Sequence, residues 1–194
     1  MRNVIVLVLL VYSTGLLAQT KLPIKFSLFN ESTSIPFTGL INTPIHPGIQ
    51  VGTEFEWKET NKIRLYPSVN VGYMFHNNLF QGIYANLELG FDYKFDFGLN
   101  IKSSLGIGYL HTFTTQQEFR FENGAYVAKA DRGNARIMPS FSLGMGYRLK
   151  PSDSQSTEIF VMYQSWLEFP YSPGFIPLMS HNSFHIGSKF YPFK

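Results

Sequence analysis

The chain has 194 residues, with 16 Lys+Arg against 13 Asp+Glu and a formal net charge of +3. With no cluster or stripe of basic residues, that small excess excludes an electrostatic nucleic-acid surface. Cysteine is absent, which excludes thiolate metal sites, thiol catalysis, a lipid-modified N-terminal Cys and disulfides.

The first element in chain order is an export signal. "MRNVIVLVLLVYSTGLLAQ" opens with Arg2, runs apolar from Val4 to Val11, and continues through Ser13, Thr14, Gly15 and Ala18. That is the layout of a secretory signal cleaved after Ala18. Its apolar run is shorter than the about 20 residues of a spanning helix. Residues 1–18 are therefore expected to be a signal peptide and 19–194 a single domain.

Eight stretches of two-residue alternation follow, at roughly 22–29, 47–58, 62–76, 80–94, 97–113, 135–149, 157–168 and 181–191. Such a period sorts side chains onto two faces of a strand. In the fourth stretch Ala85, Leu87, Leu89, Phe91 and Tyr93 alternate with Asn86, Glu88, Gly90, Asp92 and Lys94. In the third, Ile63, Leu65, Val69, Val71, Tyr73 and Phe75 lie opposite Arg64, Tyr66, Ser68, Asn70, Gly72 and Met74. The seventh is mixed, because Phe160, Met162 and Trp166 share a face with Glu158 and Gln164. No segment carries a 3.6-residue period. Strands of this length match the ~9–11 tilted residues that cross a bilayer. An even number of them, separated by turn signals, predicts an all-β, eight-stranded antiparallel up-and-down barrel.

The connectors add polarity. Short links fall at Glu59–Lys62, Phe95–Asp96 and "KPSDSQS", and long ones at Asn30–His46, Thr114–Asn134 and Phe169–Ser180. Only "HNN" is short where a long link is due. In outer-membrane barrels short turns are periplasmic and long loops extracellular, which predicts that both termini are periplasmic.

Alternation alone leaves open which face is inside, and a soluble lipocalin-type barrel would reverse the two. Three features favour lipid on the apolar side. Trp57, Tyr73, Phe75, Phe91, Tyr93, Tyr109 and Tyr147 stand at strand ends, as in two interfacial girdles. The opposite face mixes Glu, Lys, Arg and Asn with Gly, which can fill a narrow lumen. Gly72, Gly90, Gly106, Gly108, Gly144 and Gly146 would weaken a water-facing sheet.

In this pattern the chain resembles the small eight-stranded transmembrane barrels of the OmpA, OmpX and OmpW type, over nearly the whole mature length. It departs from them at its end: such chains close on an aromatic residue read by the insertion machinery, whereas "FYPFK" places Lys194 after Phe193. The resemblance implies a bacterial outer-membrane protein in contact with outer-membrane lipid, with room for a protein partner at its extracellular loops.

Chemistry-bearing groups are few. "SHNSFH" contains His181-x-Ser183, and lipid A deacylases use a His-x-Ser pair on the lipid face with an acid nearby. Here Phe184 and Ile186 take the lipid side, so Ser183 and His185 point inward, and no acid follows on a later strand. No catalytic site is expected. His46, His76, His111 and His181 all fall at the extracellular ends of strands, and imidazole suits zinc, copper or nickel. His181 and His185 are about 13 Å apart along their strand, too far to share an ion. Neither a metal nor a cofactor is expected. The Pro-rich "EFPYSPGFIPLM" is expected to fold over the mouth or to dock a partner.

The expected interior polar cluster is Glu54, Glu56, Arg64, Glu88, Asp92, Asn100 and Lys102, with one rung running Glu56, Arg64, Asp92, Asn100. The function that emerges is a non-enzymatic barrel with a side-chain-filled interior and a structural or interaction role. A lipid A deacylase-like enzyme, or a barrel binding a metal or small ligand at its mouth, is the alternative.

Overall fold

The structure, a computed structural model, describes residues 22–39, 41, 43–117, 119–128, 130–172 and 174–192. The expected signal peptide lies outside the described residues, as do Phe193 and Lys194.

The strands are β1 (Ile24–Ser32), β2 (His46–Glu54), the two-residue β3 (Lys58–Glu59), β4 (Ile63–Phe75), β5 (Phe80–Lys94) and β6 (Leu99–Thr114). There follow the short pair β7 (Phe119–Glu122) and β8 (Ala125–Ala128), then β9 (Asn134–Arg148), β10 (Glu158–Glu168) and β11 (Met179–Phe190). Each barrel strand pairs antiparallel with the next. β1 pairs with β11 from Ile24↔Phe190 to Ser32↔Asn182, and β2 pairs with β4. The sheet therefore closes into an eight-stranded barrel in which β3 continues the wall position of β2. Closure leaves no long strand edge unpaired, as an antiparallel sheet in hydrocarbon requires. β1 starts and β11 finishes at one end, termed the terminal end; the other is the loop end.

Alternation is carried through with the apolar face outward. Leu28, Ile49, Val71, Leu87, Leu105, Ile107, Ile159 and Ile186 are exposed on the outer wall, while Ser27, Gln50, Asn70, Asn86, Glu88 and Ser142 are buried within. Burial inside a soluble core would have the opposite sense. An apolar wall this continuous is stable only against a hydrocarbon-like solvent.

The interior is not uniformly polar. Phe29, Met74, Phe80, Tyr84, Leu110, Met138 and Trp166 form an apolar cluster inside the loop-end half. Beside several bulky interior side chains stands a glycine on the neighbouring strand. Tyr66 faces Gly90, Tyr84 faces Gly72 and Phe29 faces Gly48 in direct cross-strand register. A Cβ at Gly90 would lie 2.4 Å from the Tyr66 ring, and one at Gly72 2.3 Å from that of Tyr84. The strand glycines thus vacate the volume that the large side chains fill.

Two registers differ from the sequence expectation. β2 stops at Glu54, and β3 pairs Lys58 with Leu65 and Glu59 with Arg64. The irregular 55–57 stretch offsets the count, so Glu56 is exposed and Glu59 takes the place across from Arg64. The turn from β5 to β6 spans four residues, closed by Phe95 N–H donating to Leu99 O with Gly98 at φ +100°. Asp92 consequently faces Lys102, and Asn100 faces Lys94. The longest connector also contains a hairpin where no alternation was expected. "FRFE" and "AYVA" flank Asn123 and Gly124, both with positive φ (50° and 82°), the signature of a two-residue type I′ turn.

Candidate functional site

Near the terminal end, six charged side chains from six strands meet in the lumen. Arg64 Nη1 lies 2.6 Å from Glu54 and 3.6 Å from Asp92. Lys102 Nζ lies 2.8 Å from Asp92 and 2.7 Å from Glu158. Lys189 Nζ closes the circuit at 3.5 Å from Glu158 and 3.2 Å from Glu54. Cations and carboxylates alternate in a closed, formally neutral ring, with every member buried. Strand parity puts each inward, and the direct pairs Arg64↔Asp92, Asp92↔Lys102 and Glu158↔Lys189 put them at one height. Gly146 on β9 leaves space for Glu158, since a Cβ there would sit 2.6 Å from its Oε1. Tyr66, the next inward residue of β4, packs against the ring from the loop-end side. Its hydroxyl donates to Asp92 Oδ1 at 2.9 Å, and the Arg64 guanidinium lies 4.1 Å from its ring centroid.

Of the seven expected cluster residues, Glu54, Arg64, Asp92 and Lys102 are ring members. Asn100 donates to Glu158 Oε2 at 2.7 Å. Glu88 belongs to the next layer, where Asn86 and Gln164 each donate to its Oε1 at 2.9 Å and Lys25 lies 3.8 Å away. Glu56 takes no place in it. Glu158 and Lys189 were missed, although both are inward by parity. Joining them to Arg64 requires a register counted either across the long β6–β9 connector or around the closing β11–β1 seam, and no tight turn supplies one.

Outside the ring, at the terminal end, Lys94 donates to Glu59 Oε1 at 2.6 Å. Burial pushes the Glu59 pKa up, but the hydrogen bond and charge of Lys94 outweigh it, and the carboxylate titrates below its usual range.

A second cluster closes the loop end. Glu31, His46 and His76 come from β1, β2 and the residue following β4, with Glu31 directly across from His46. The His46 and His76 rings stack with centroids 3.5 Å apart. Burial first, then the imidazole of His46 beside it, holds the His76 pKa below the histidine range. His181 Nδ1 is 2.7 Å from Glu31 Oε1, its Nε2 is 3.4 Å from Glu168, and its ring stacks at 4.0 Å on Trp166. Arg136 Nε lies 2.9 Å from Glu168. His111 stands apart, 2.9 Å from the outward Tyr109 hydroxyl.

The His181-x-Ser183 pair has none of the geometry of a nucleophile and base. Both residues are buried inside, and Ser183 Oγ accepts from Trp166 Nε1 at 3.1 Å. The acids that sequence order did not place beside His181 do exist, but they come from β1 and β10 and engage the imidazole rather than orienting it toward a serine.

No protein-family model matches the sequence, and no curated protein matches it. Solved structures do. The crystal structure of Neisserial surface protein A superposes with a TM-score of 0.54 at 7% identity, covering 89% of this chain and 97% of that one. This chain has the fold of the small outer-membrane barrels. The barrel is similar also to Ail, the attachment invasion locus protein of Yersinia pestis, at TM-score 0.49, 10% identity and coverage of 87% and 95%. The outer membrane enzyme PagL matches at TM-score 0.49, 10% identity and coverage of 87% and 98%. At such identities the likeness is one of fold.

Proposed function

We propose that the chain is a non-enzymatic outer-membrane barrel with a structural or interaction role at the bacterial surface, its loop end extracellular and its termini periplasmic. The observation that carries this reading is the closed ring of six charges across the lumen. A ring with every charge paired and buried supports a side-chain-filled lumen, a plug rather than a diffusion pore. The outward apolar wall supports residence in lipid, and the long β6–β9 and β10–β11 connectors support an extracellular loop end. The enclosed Ser183 and His181 have no access to a lipid substrate, which weighs against a deacylase-like activity.

Conductance of the purified barrel in planar bilayers tests the reading. The expected result is insertion, seen by protease protection and a shifted mobility of the unboiled band, with current at the lipid baseline. Steady ion-selective channels in the wild-type protein would overturn it.

A further inference from the structure

We infer that the loop-end cluster is a divalent transition-metal site, with Glu31, His46 and His76 as its ligands and zinc as the fitting ion. It stands independently of the reading above, which concerns the ring at the other end of the lumen.

The three residues occupy one rung of three neighbouring wall positions. Glu31 faces His46 across β1 and β2, and the β2–β4 register that pairs Gly48 with Met74 carries His76 up beside His46. One ligand atom from each of the three lies within 4.8 Å of the other two, and all three residues are buried.

Ligand atoms of the three side chains converge, and two of their polar atoms lack hydrogen-bond partners among the described residues. His46 Nδ1 contacts the Glu31 backbone carbonyl at 3.2 Å. A carbonyl only accepts, so Nδ1 carries the proton and Nε2 keeps a lone pair, the usual tautomer of a metal-binding histidine. His76 Nδ1 is buried with no hydrogen-bond partner among the described residues. Glu31 Oε1 is engaged by His181, whereas Glu31 Oε2 is buried without a hydrogen-bond partner. A carboxylate oxygen and an imidazole nitrogen left unpaired in a buried site are costly unless a cation or water joins them.

Two imidazoles and one carboxylate match the donor set of three-ligand zinc sites, which keep a fourth position for water. Ligand atoms on tetrahedral zinc stand about 3.3 Å apart, so the three need to close by roughly 1–1.5 Å. Small ring rotations supply that, since His76 sits in a turn and His46 at the first residue of its strand. His181, hydrogen-bonded to Glu31 Oε1, would hold the carboxylate in place as an outer partner.

Zn²⁺ titration of tag-free, EDTA-treated protein folded in detergent, against a competing chelator, tests this. One equivalent per chain is expected. His46→Gln or His76→Gln should weaken binding about 100-fold, His181→Gln about tenfold, and His111→Gln not at all. Folding of each variant is checked by the mobility of the unboiled band. Histidine side-chain NMR of the wild type makes the result independent of the variants: Zn²⁺ should shift the His46 and His76 signals and leave those of His111 and His185 in place. Absence of one-equivalent binding, equal affinity in His76→Gln, or shifts confined to His111 would overturn the site.

Discussion

At the scale of single residues, the interior is governed by pairing. Arg64 stands between Glu54 and Asp92 with almost no solvent. Replacing it with Ala leaves the ring with two cations and three carboxylates, an uncompensated buried charge that costs roughly 3–5 kcal/mol. Adding Glu54→Gln restores two of each, so most of that loss should return. Urea midpoints of the single and double variants in detergent measure both. The Glu59–Lys94 pair is partly exposed and contributes no more than ~1 kcal/mol. Because the folded-state pKa of Glu59 is lowered, its stabilisation is present at neutral pH and fades as pH falls through the carboxylate titration. Glu59→Gln should therefore remove part of the acid-side decline in stability and leave the neutral-to-alkaline profile parallel to wild type.

At the scale of elements, the strands were largely legible because a period of two survives any register. In β5 every odd position from Ile83 to Phe91 is outward and exposed, and every even one is buried. Register was legible only where a turn was. The tight His76–Leu79 turn gave the Arg64–Asp92 pairing, while the 55–57 irregularity and the four-residue turn after Lys94 each moved a partner by more than one position. The Asn123-Gly124 hairpin could have been found from its dipeptide alone. The apolar layer inside the barrel had no comparable signal. Met74, Leu110 and Trp166 sit on inward faces at unrelated sequence positions, and only closure gathers them. The glycine slots lead to a direct comparison. Gly90→Val drives a side chain into the Tyr66 ring and should cost about 1–3 kcal/mol by overpacking. Leu89→Val, one residue away on the outer wall, should cost less than ~1 kcal/mol. Thermal or urea unfolding of the two variants separates the faces.

At the scale of the whole molecule, the barrel turns a soluble protein inside out, with charge at its centre and hydrocarbon-facing residues around it. Its two polar clusters lie at opposite ends: a neutral ring near the termini, and a histidine–glutamate cluster at the loop end. The apolar layer between them separates their charges, so changes at one should leave the other intact.

The most direct test is where the alternate residues of β5 point when the protein is in a bilayer. The chain contains no cysteine, so single nitroxide labels at Leu87→Cys and Leu89→Cys report only those sites. Collision rates with lipid-soluble oxygen and with an aqueous nickel chelate measure their surroundings. High oxygen and negligible nickel accessibility at both positions is the predicted result. Nickel accessibility equal to that of a water-exposed loop site, or burial from both reagents as in a soluble core, would contradict the account.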